Sequence, residues 1–326
     1  MKTIVETFDL TKVYKKIVAV DRLNLNVKKG EIFGLLGPNG AGKTTTIRML
    51  TTYTRPTSGS AVVGGYDIIR EARKVRQIIG YSAQESGVDQ NATGRENLML
   101  FGRYHGMDTK TLKARVKEIL ELVDLTEAAG RLVKTYSSGM RKRLEIATAL
   151  IHEPEILFLD EPTLGLDVQT RVNIWNYIRE LNKNGTTIIL TTHYLEEADK
   201  LCDRVAIIDL GKVVALGTPK ELKSKVKGDV VSLVLPLKEL EKLKLNMAKA
   251  EETLEKQPFV KEIRSTNNRL NVYVNEKGER AIPEILRLLE KERVDVESIT
   301  LSRPSLDDVF LMCTGRTFHN HGGETR

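Results

Sequence analysis

The chain has 326 residues, 40% of them apolar and 29% charged, with a formal net charge of +7. That length suits about two domains of roughly 150 residues each, with a sizeable core. The positive charge reads as a Lys-rich solvated surface: the densest basic cluster, Arg141-Lys142-Arg143, sits inside a helical pattern without interleaved aromatics, so charge does not identify a binder of nucleic acid or anionic membrane. Cys202 and Cys313 lie far apart without metal-ligand spacing, as expected of reduced thiols in a cytoplasmic protein. The N-terminus meets charged residues before any leader-like apolar stretch forms, and no window approaches the ~20 apolar residues of a spanning helix.

In chain order, Ile4 to Phe8, Leu23 to Val27 and Ser60 to Val63 read as an antiparallel subdomain. Ile32 to Leu36, Ile156 to Leu159, Thr187 to Leu190 and Val205 to Ile208 are near-continuous apolar runs, which suit strands of a largely parallel sheet buried on both faces. Thr93 to Leu150 is mostly helical in pattern, and Gly211 marks a hairpin into Val213 to Leu216. Composition shifts near Thr218-Pro219, where a Lys-rich helix from Glu221 to Lys227 leads to Gly228. Beyond it the order is strand Val230 to Leu235, helix Leu240 to Glu255, strands Val260 to Arg264 and Leu270 to Val274, helix Ala281 to Glu290 and strand Val296 to Leu301. That β-α-β-β-α-β order predicts a ferredoxin-like α+β domain. The polar residues from Thr317 to Arg326 are expected to be disordered.

The chemistry starts at Gly37-Pro38-Asn39-Gly40-Ala41-Gly42-Lys43-Thr44-Thr45, which matches G-x-x-x-x-G-K-[ST] at every fixed position. An apolar strand precedes it and a helical run, Thr44 to Tyr53, follows. The glycines let backbone N–H groups turn inward as an anion nest, and the helix N-terminus adds positive dipole. Lys43 is placed for the outer phosphates and Thr44 for Mg²⁺. The magnesium side then needs an acidic group, and Ile156-Leu-Phe-Leu-Asp160-Glu161 supplies one at the end of a buried strand, where ligands sit in such sheets. Asp160 is the expected magnesium-side carboxylate, and Glu161 is suited to polarise an attacking water. A second helix start rich in small residues, Ser137-Ser138-Gly139, occurs in a chain with one phosphate loop. It suggests an anion site for a nucleotide held by another chain.

Tyr136-Ser137-Ser138-Gly139-Met140, Asp160-Glu-Pro-Thr-Leu-Gly-Leu-Asp167 and His193 at a strand end together resemble the ATP-binding cassette (ABC) family of transporter ATPases over residues 1 to about 220. The resemblance implies an α/β P-loop NTPase cassette over residues 1–222, with a mostly parallel core sheet and antiparallel β and helical subdomains. The α+β accessory domain then spans 228–315 and a disordered tail 316–326. It further implies ATP and Mg²⁺ as ligands and ATP hydrolysis as the reaction. Tyr14 resembles the aromatic that stacks on adenine. Gln84 resembles the glutamine that links magnesium to the coupling surface, and His193 the switch histidine at the γ-phosphate. With Glu161, Gln84 and His193, Lys43 completes the implied catalytic set; Thr44, Gln84 and Asp160 form the implied metal set. In the family two cassettes sandwich two ATPs head to tail, so Ser137, Ser138 and Gly139 would close on the other subunit's nucleotide, and Asp167 would lie at the dimer contact. Ser138 stands where the family usually has glycine.

The segment Ile299-Thr-Leu-Ser-Arg-Pro-Ser-Leu-Asp-Asp-Val-Phe310, ending in Leu-Met-Cys-Thr-Gly315, is similar to the C-terminus of daunorubicin-resistance-type ATP-binding subunits. Such subunits pair with separate membrane permeases and mostly serve efflux. The implied protein is a homodimer or a heterodimer with a similar subunit, held at the cytoplasmic face of the membrane by a permease, with no nucleic-acid partner. The alternative is a soluble ABC ATPase acting on ribosomes or nucleic acid. Those usually carry two cassettes in one chain, or coiled-coil or zinc insertions, and none is visible in the sequence.

Overall fold

The computed structural model describes residues 2–84, 87–226, 229–237, 240–275 and 277–316. The expected tail from residue 317 onward, the Lys227-Gly228 junction and Glu85 lie outside the described residues. The chain divides into two compact units, one up to Pro219 and one from Lys220 to Gly315. Among the described residues no helix is long and apolar enough to cross a membrane.

The first unit opens with β1 (Thr3–Tyr14), β2 (Ile17–Leu23) and β3 (Asn26–Lys28). The strand expected from Leu23 to Val27 is therefore interrupted. Arg22 adopts a left-handed φ of 47°. The Thr7 hydroxyl donates to the Leu23 carbonyl and accepts the Leu25 amide, each at 2.8 Å, so a side chain completes the pairing where the backbone departs from it. Next come β4 (Ile32–Leu36), α1 (Lys43–Leu50), β5 (Ser58–Val63), β6 (Tyr66–Asp67), α2 (Ala72–Ile78) and β7 (Ile79–Ser82).

The helical stretch resolves into α3 (Gly94–Tyr104), α4 (Thr109–Leu122) and α5 (Ser138–Leu150). Each begins at a residue whose side chain accepts an otherwise orphan N–H: Thr93 in a capping box with Glu96, Asp108, and Ser137. They are followed by β8 (Ile156–Asp160), α6 (Val168–Lys183), β9 (Thr187–Thr192), α7 (Leu195–Leu201), β10 (Arg204–Asp209), β11 (Lys212–Gly217) and α8 (Pro219–Lys225).

Six strands form one sheet in the order β11-β10-β4-β9-β8-β7, parallel throughout except for the β10–β11 hairpin. A five-stranded antiparallel sheet runs β2-β1-β5-β6, with β3 paired to β1. One apolar cluster joins Leu10, Leu23 and Val63 of the second sheet to Phe33, Phe158 and Ile208 of the first. Every residue of β4, β8 and β9 is buried, as their unbroken apolar runs require. Because these three are parallel neighbours, their C-terminal ends share one edge. The register sets Leu36 beside Thr192 and Asp160 beside Thr191.

The second unit takes in α8 from Lys220 onward, then β12 (Val230–Val234), α9 (Leu240–Glu255), β13 (Val260–Thr266), β14 (Arg269–Val274), α10 (Gly278–Lys291), β15 (Ser298–Ser302) and α11 (Leu306–Thr314). Its sheet is antiparallel in the order β13-β14-β12-β15, which gives the ferredoxin-like topology. Alternate residues Val231, Leu233, Leu270 and Val272 face one core with Met247 and Leu254 of α9 and Ile285 and Leu289 of α10. The final helix, α11, starts at a capping box between Ser305 and Asp308, and Asp308 also accepts a hydrogen bond from the Tyr273 hydroxyl.

Candidate nucleotide-binding site

The loop between β4 and α1 is pressed against neighbouring backbone at Gly37 and Gly42, where a side chain has no room. A Cβ at Gly37 would stand 2.3 Å from the Ile208 carbonyl oxygen. One at Gly42, whose φ is +105°, would stand 2.3 Å from the Ala19 carbonyl oxygen. Only glycine meets both demands, the close approach at Gly37 and the left-handed backbone at Gly42. Lys43, the first residue of α1, is buried, and its amine donates to the carbonyls of Gly37 at 2.8 Å and Pro38 at 3.0 Å. It also lies 3.5 Å from Glu161 Oε1. Burial pulls the Lys43 amine below its ordinary pKa, while the carboxylates of Glu161 and Asp160 push it back up.

The acidic strand end is fixed by two threonines. Thr44 Oγ1 donates to Asp160 Oδ1 at 3.0 Å, and Thr191 Oγ1 donates to the same oxygen at 2.6 Å. Thr191 Oγ1 in turn accepts the Glu161 amide at 2.9 Å. Asp160 Oδ2 is buried without a hydrogen-bond partner among the described residues. Glu161 takes a left-handed φ of 50°, which turns its side chain out of the strand direction. Its Oε2 lies 3.1 Å from His193 Nδ1. A carboxylate can only accept, so this pair puts a proton on Nδ1.

A cavity of about 520 Å³ opens over this group, lined by Tyr14, Ala19, Asn39, Gly40, Gly42, Lys43, Thr44, Thr45, Gln84, Glu161, Leu164 and His193. Gly37 and Pro38 contribute through the carbonyls that hold Lys43, Ala41 is buried within the loop, and Asp160 stands behind Thr44. Tyr14 ends β1 at the cavity rim, with the Lys12 amine 4.9 Å from its ring centroid. Gln84 follows β7, a strand that Gly80 obscures in the sequence.

Ser137, Ser138, Gly139 and Asp167 do not line this cavity. Ser137 caps α5 by accepting the Met140 amide at 3.2 Å, and Ser138 is exposed at the first helical position. Gly139 is buried: a Cβ there would stand 2.5 Å from Thr170 Cγ2. Thr170 is itself held by Asp167, which caps α6 and accepts its amide at 2.9 Å and its hydroxyl at 2.6 Å. The start of α5 and Asp167 thus form a second locus, tied together within the chain through Thr170.

Sequence reasoning passed over Thr191. A threonine in a β-branched strand reads as strand propensity, and the available signal was the polar pair Thr191-Thr192 ending an otherwise apolar run just before His193.

Residues 20–164 match the family described as ABC transporter, and residues 217–314 match the ATP-binding protein DrrA1-3-like C-terminal domain. The daunorubicin resistance ATP-binding protein DrrA3 of Streptomyces coeruleorubidus is 44% identical over 298 residues, covering 91% of this chain and 91% of that protein. The linearmycin resistance ATP-binding protein LnrL of Bacillus subtilis is 37% identical over 322 residues, covering 96% of this chain and 98% of its own. Among solved structures, cbiO1 of Clostridium perfringens, part of the cbiONQ transporter complex, superposes with a TM-score of 0.64 at 28% identity over 69% of this chain and 92% of that one. The dimeric cassette MJ0796 bound to ADP and Pi gives a TM-score of 0.60 at 28% identity, over 66% of this chain and 98% of its own. With a nucleotide-sized cavity at the ends of β4, β8 and β9 and relatives matched over nearly their whole length, the chain belongs to the ABC transporter family, as an ATP-binding and ATP-hydrolysing subunit of the daunorubicin-resistance type.

Proposed function

We propose that the chain hydrolyses ATP at the cavity described above and drives export through a separate membrane permease. The observation that carries this reading is the cluster Lys43, Thr44, Asp160, Glu161 and His193, gathered at one sheet edge by hydrogen bonds through Thr44 and Thr191. ATP lies with its phosphates on the amides of Gly40 to Thr45 and its adenine against Tyr14. Lys43 is close enough to the loop carbonyls to exchange them for phosphate oxygens. Glu161 accepts a hydrogen bond from the attacking water and draws off its proton as the water oxygen bonds to the γ-phosphorus and the bond to ADP breaks. His193, oriented by Glu161, faces the γ-phosphate, and the products are ADP and inorganic phosphate.

The residues present fit magnesium. The free, buried Asp160 Oδ2 beside the Thr44 hydroxyl offers a hard cation oxygen ligands, and Gln84 offers a further one from the cavity wall. Bound there, Mg²⁺ would draw charge off the phosphate oxygens.

Two chains, identical or similar, would pair head to tail, with Ser137, Ser138 and Gly139 facing the partner's nucleotide and Asp167 at the contact. The MJ0796 dimer supports this reading, as does the placement of that locus outside the cavity in its own chain. Closure of the dimer would be relayed to the permease through the Gln84 region. We assign residues 1–222 to the cassette and 228–315 to an accessory domain. The subunit would sit at the cytoplasmic face of the membrane, held by the permease and without a nucleic-acid partner; the resistance names of the relatives favour this over work on ribosomes or nucleic acid. Glu161→Gln tests the chemistry: it should bind ATP and dimerise while turnover falls by about 10²–10⁴-fold. Wild-type turnover in that variant would remove Glu161 from the mechanism.

A further inference from the structure

Two glutamates stand side by side at the start of α7, and the fold treats them oppositely. Glu196 pairs with Lys200 at the surface at 2.7 Å, whereas Glu197 is 1% exposed. An apolar residue would fill that position without the desolvation that a buried carboxyl suffers. Its partners indicate what the carboxyl does. Glu197 Oε1 accepts the Thr163 hydroxyl and the Trp175 indole N–H, each at 2.8 Å. Glu197 itself sits in the first turn of α7, four residues after His193, and Thr192 Oγ1, just before that histidine, receives the amide of Tyr194 at 2.9 Å. Burial pushes the carboxyl above its usual range, and the Thr192, Thr163 and Trp175 side chains and the Arg171 charge oppose that. Arg171 itself lies with its guanidinium 4.2 Å from the Tyr194 ring centroid.

Thr163 is two residues beyond Glu161, and Thr192 immediately precedes His193. The two segments reach the cavity from different strands, β8 and β9, and each carries one half of the Glu161–His193 contact. His193 is partly exposed, and Glu161, whose other oxygen faces the Lys43 amine at 3.5 Å, keeps a backbone conformation that glutamate does not favour. We infer that Glu197 is a positioning residue for ATP hydrolysis, a buried carboxyl that ties the turn after Glu161 to the helix that begins just after His193 and so sets the spacing of that pair. The inference rests on the reading of Glu161 and His193 given above. It also makes Trp175, the single tryptophan of the chain, a built-in reporter, since its N–H is bonded to the same oxygen.

The test uses the purified full-length chain with ATP. Glu197→Ala should lower kcat by about 10-fold while KM for ATP stays within about 2-fold, because the γ-phosphate end is disturbed and the phosphate loop is not. Glu197→Gln keeps an oxygen for Thr163 and Trp175 and should restore kcat to within about 3-fold of wild type. Thr163→Val should act in the same direction, and the double variant Thr163→Val/Glu197→Ala should lose no more than Glu197→Ala alone. Trp175 emission should respond to ATP in the wild-type chain and lose most of that response in Glu197→Ala. If Glu197→Ala fails to fold, Thr163→Val carries the test by the same split between kcat and KM. Unchanged kcat in Glu197→Ala or, if that chain does not fold, in Thr163→Val, a rise in KM in place of a fall in kcat, or no rescue by glutamine would overturn the inference. Glu161→Gln assayed alongside separates the two readings. Full turnover there defeats the assignment of the site, whereas loss there with wild-type kcat in Glu197→Ala defeats only the positioning role.

Discussion

Thr191 Oγ1 lies 2.6 Å from Asp160 Oδ1, joining two neighbouring strands at the edge where the nucleotide cavity opens. The same hydroxyl accepts the amide of Glu161. One side chain therefore locates both acidic residues. Thr191→Val keeps the shape and removes the hydroxyl, leaving the Glu161 amide unpaired in a buried setting. It should lower stability by about 1–3 kcal/mol in a denaturant titration and reduce kcat more than it weakens ATP binding. Equal stability with unchanged turnover would show that the pairing of β8 and β9 alone suffices.

Gly139→Ala tests the second locus. The added methyl meets Thr170, which Asp167 holds by two hydrogen bonds and which cannot easily retreat. Overpacking of this kind costs about 1–3 kcal/mol. Thermal melting should show the loss, and Thr170→Ala in the same chain should restore most of it by vacating the space. Because Gly139 is outside the cavity of its own chain, equilibrium ATP binding by the monomer should be unchanged while turnover falls.

Ser138 is exposed at the first position of α5, so glycine there would relieve no crowding among the described residues of its own chain. Ser138→Gly should therefore leave steady-state ATP turnover within about 10-fold of wild type. An increase of several orders of magnitude would show that the serine obstructs the partner's nucleotide.

The stacked rings of His105 and His152, with centroids 3.7 Å apart, give a pH prediction. Burial first, then the neighbouring His105 and Arg115, depress His152 from 6.5 to about 4, while its contact with the Ile79 carbonyl opposes the shift. The unfolded chain takes up a proton as pH falls through 6.5, but the folded chain resists until about 4. Stability is thus full above 6.5 and is lost as pH falls toward 4. The melting temperature should drop across that window, and His152→Gln should flatten its slope.

The phosphate loop was legible because its function demands a fixed spacing of glycines, lysine and threonine that nothing else in a sequence imitates. Asp160 and Glu161 were legible from the loop's need for an acidic partner on a buried strand. Long-range hydrogen bonds were not. Nothing local marks Thr163, Trp175 and Glu197 as partners, and Thr191 looks like any β-branched strand residue. The interruption between β2 and β3 was missed for a related reason, since Thr7 closes it from a distant strand. In the second unit, alternating apolar residues announced the strands, whereas α11 rests on a capping box that reads as loop chemistry until the helix is seen.

The left-handed backbone of Glu161 has a consequence for how the chain can change over time. Such a conformation costs a residue with a Cβ about 1–2 kcal/mol and is free to glycine. Relief of that strain favours glycine or asparagine at position 161, set against the loss of the Glu161 contacts with Lys43 and His193. On the role proposed for Glu161, a carboxylate at that position persists where turnover is selected, so the residue at 161 in a drifting copy of this chain would record whether it still works as a motor.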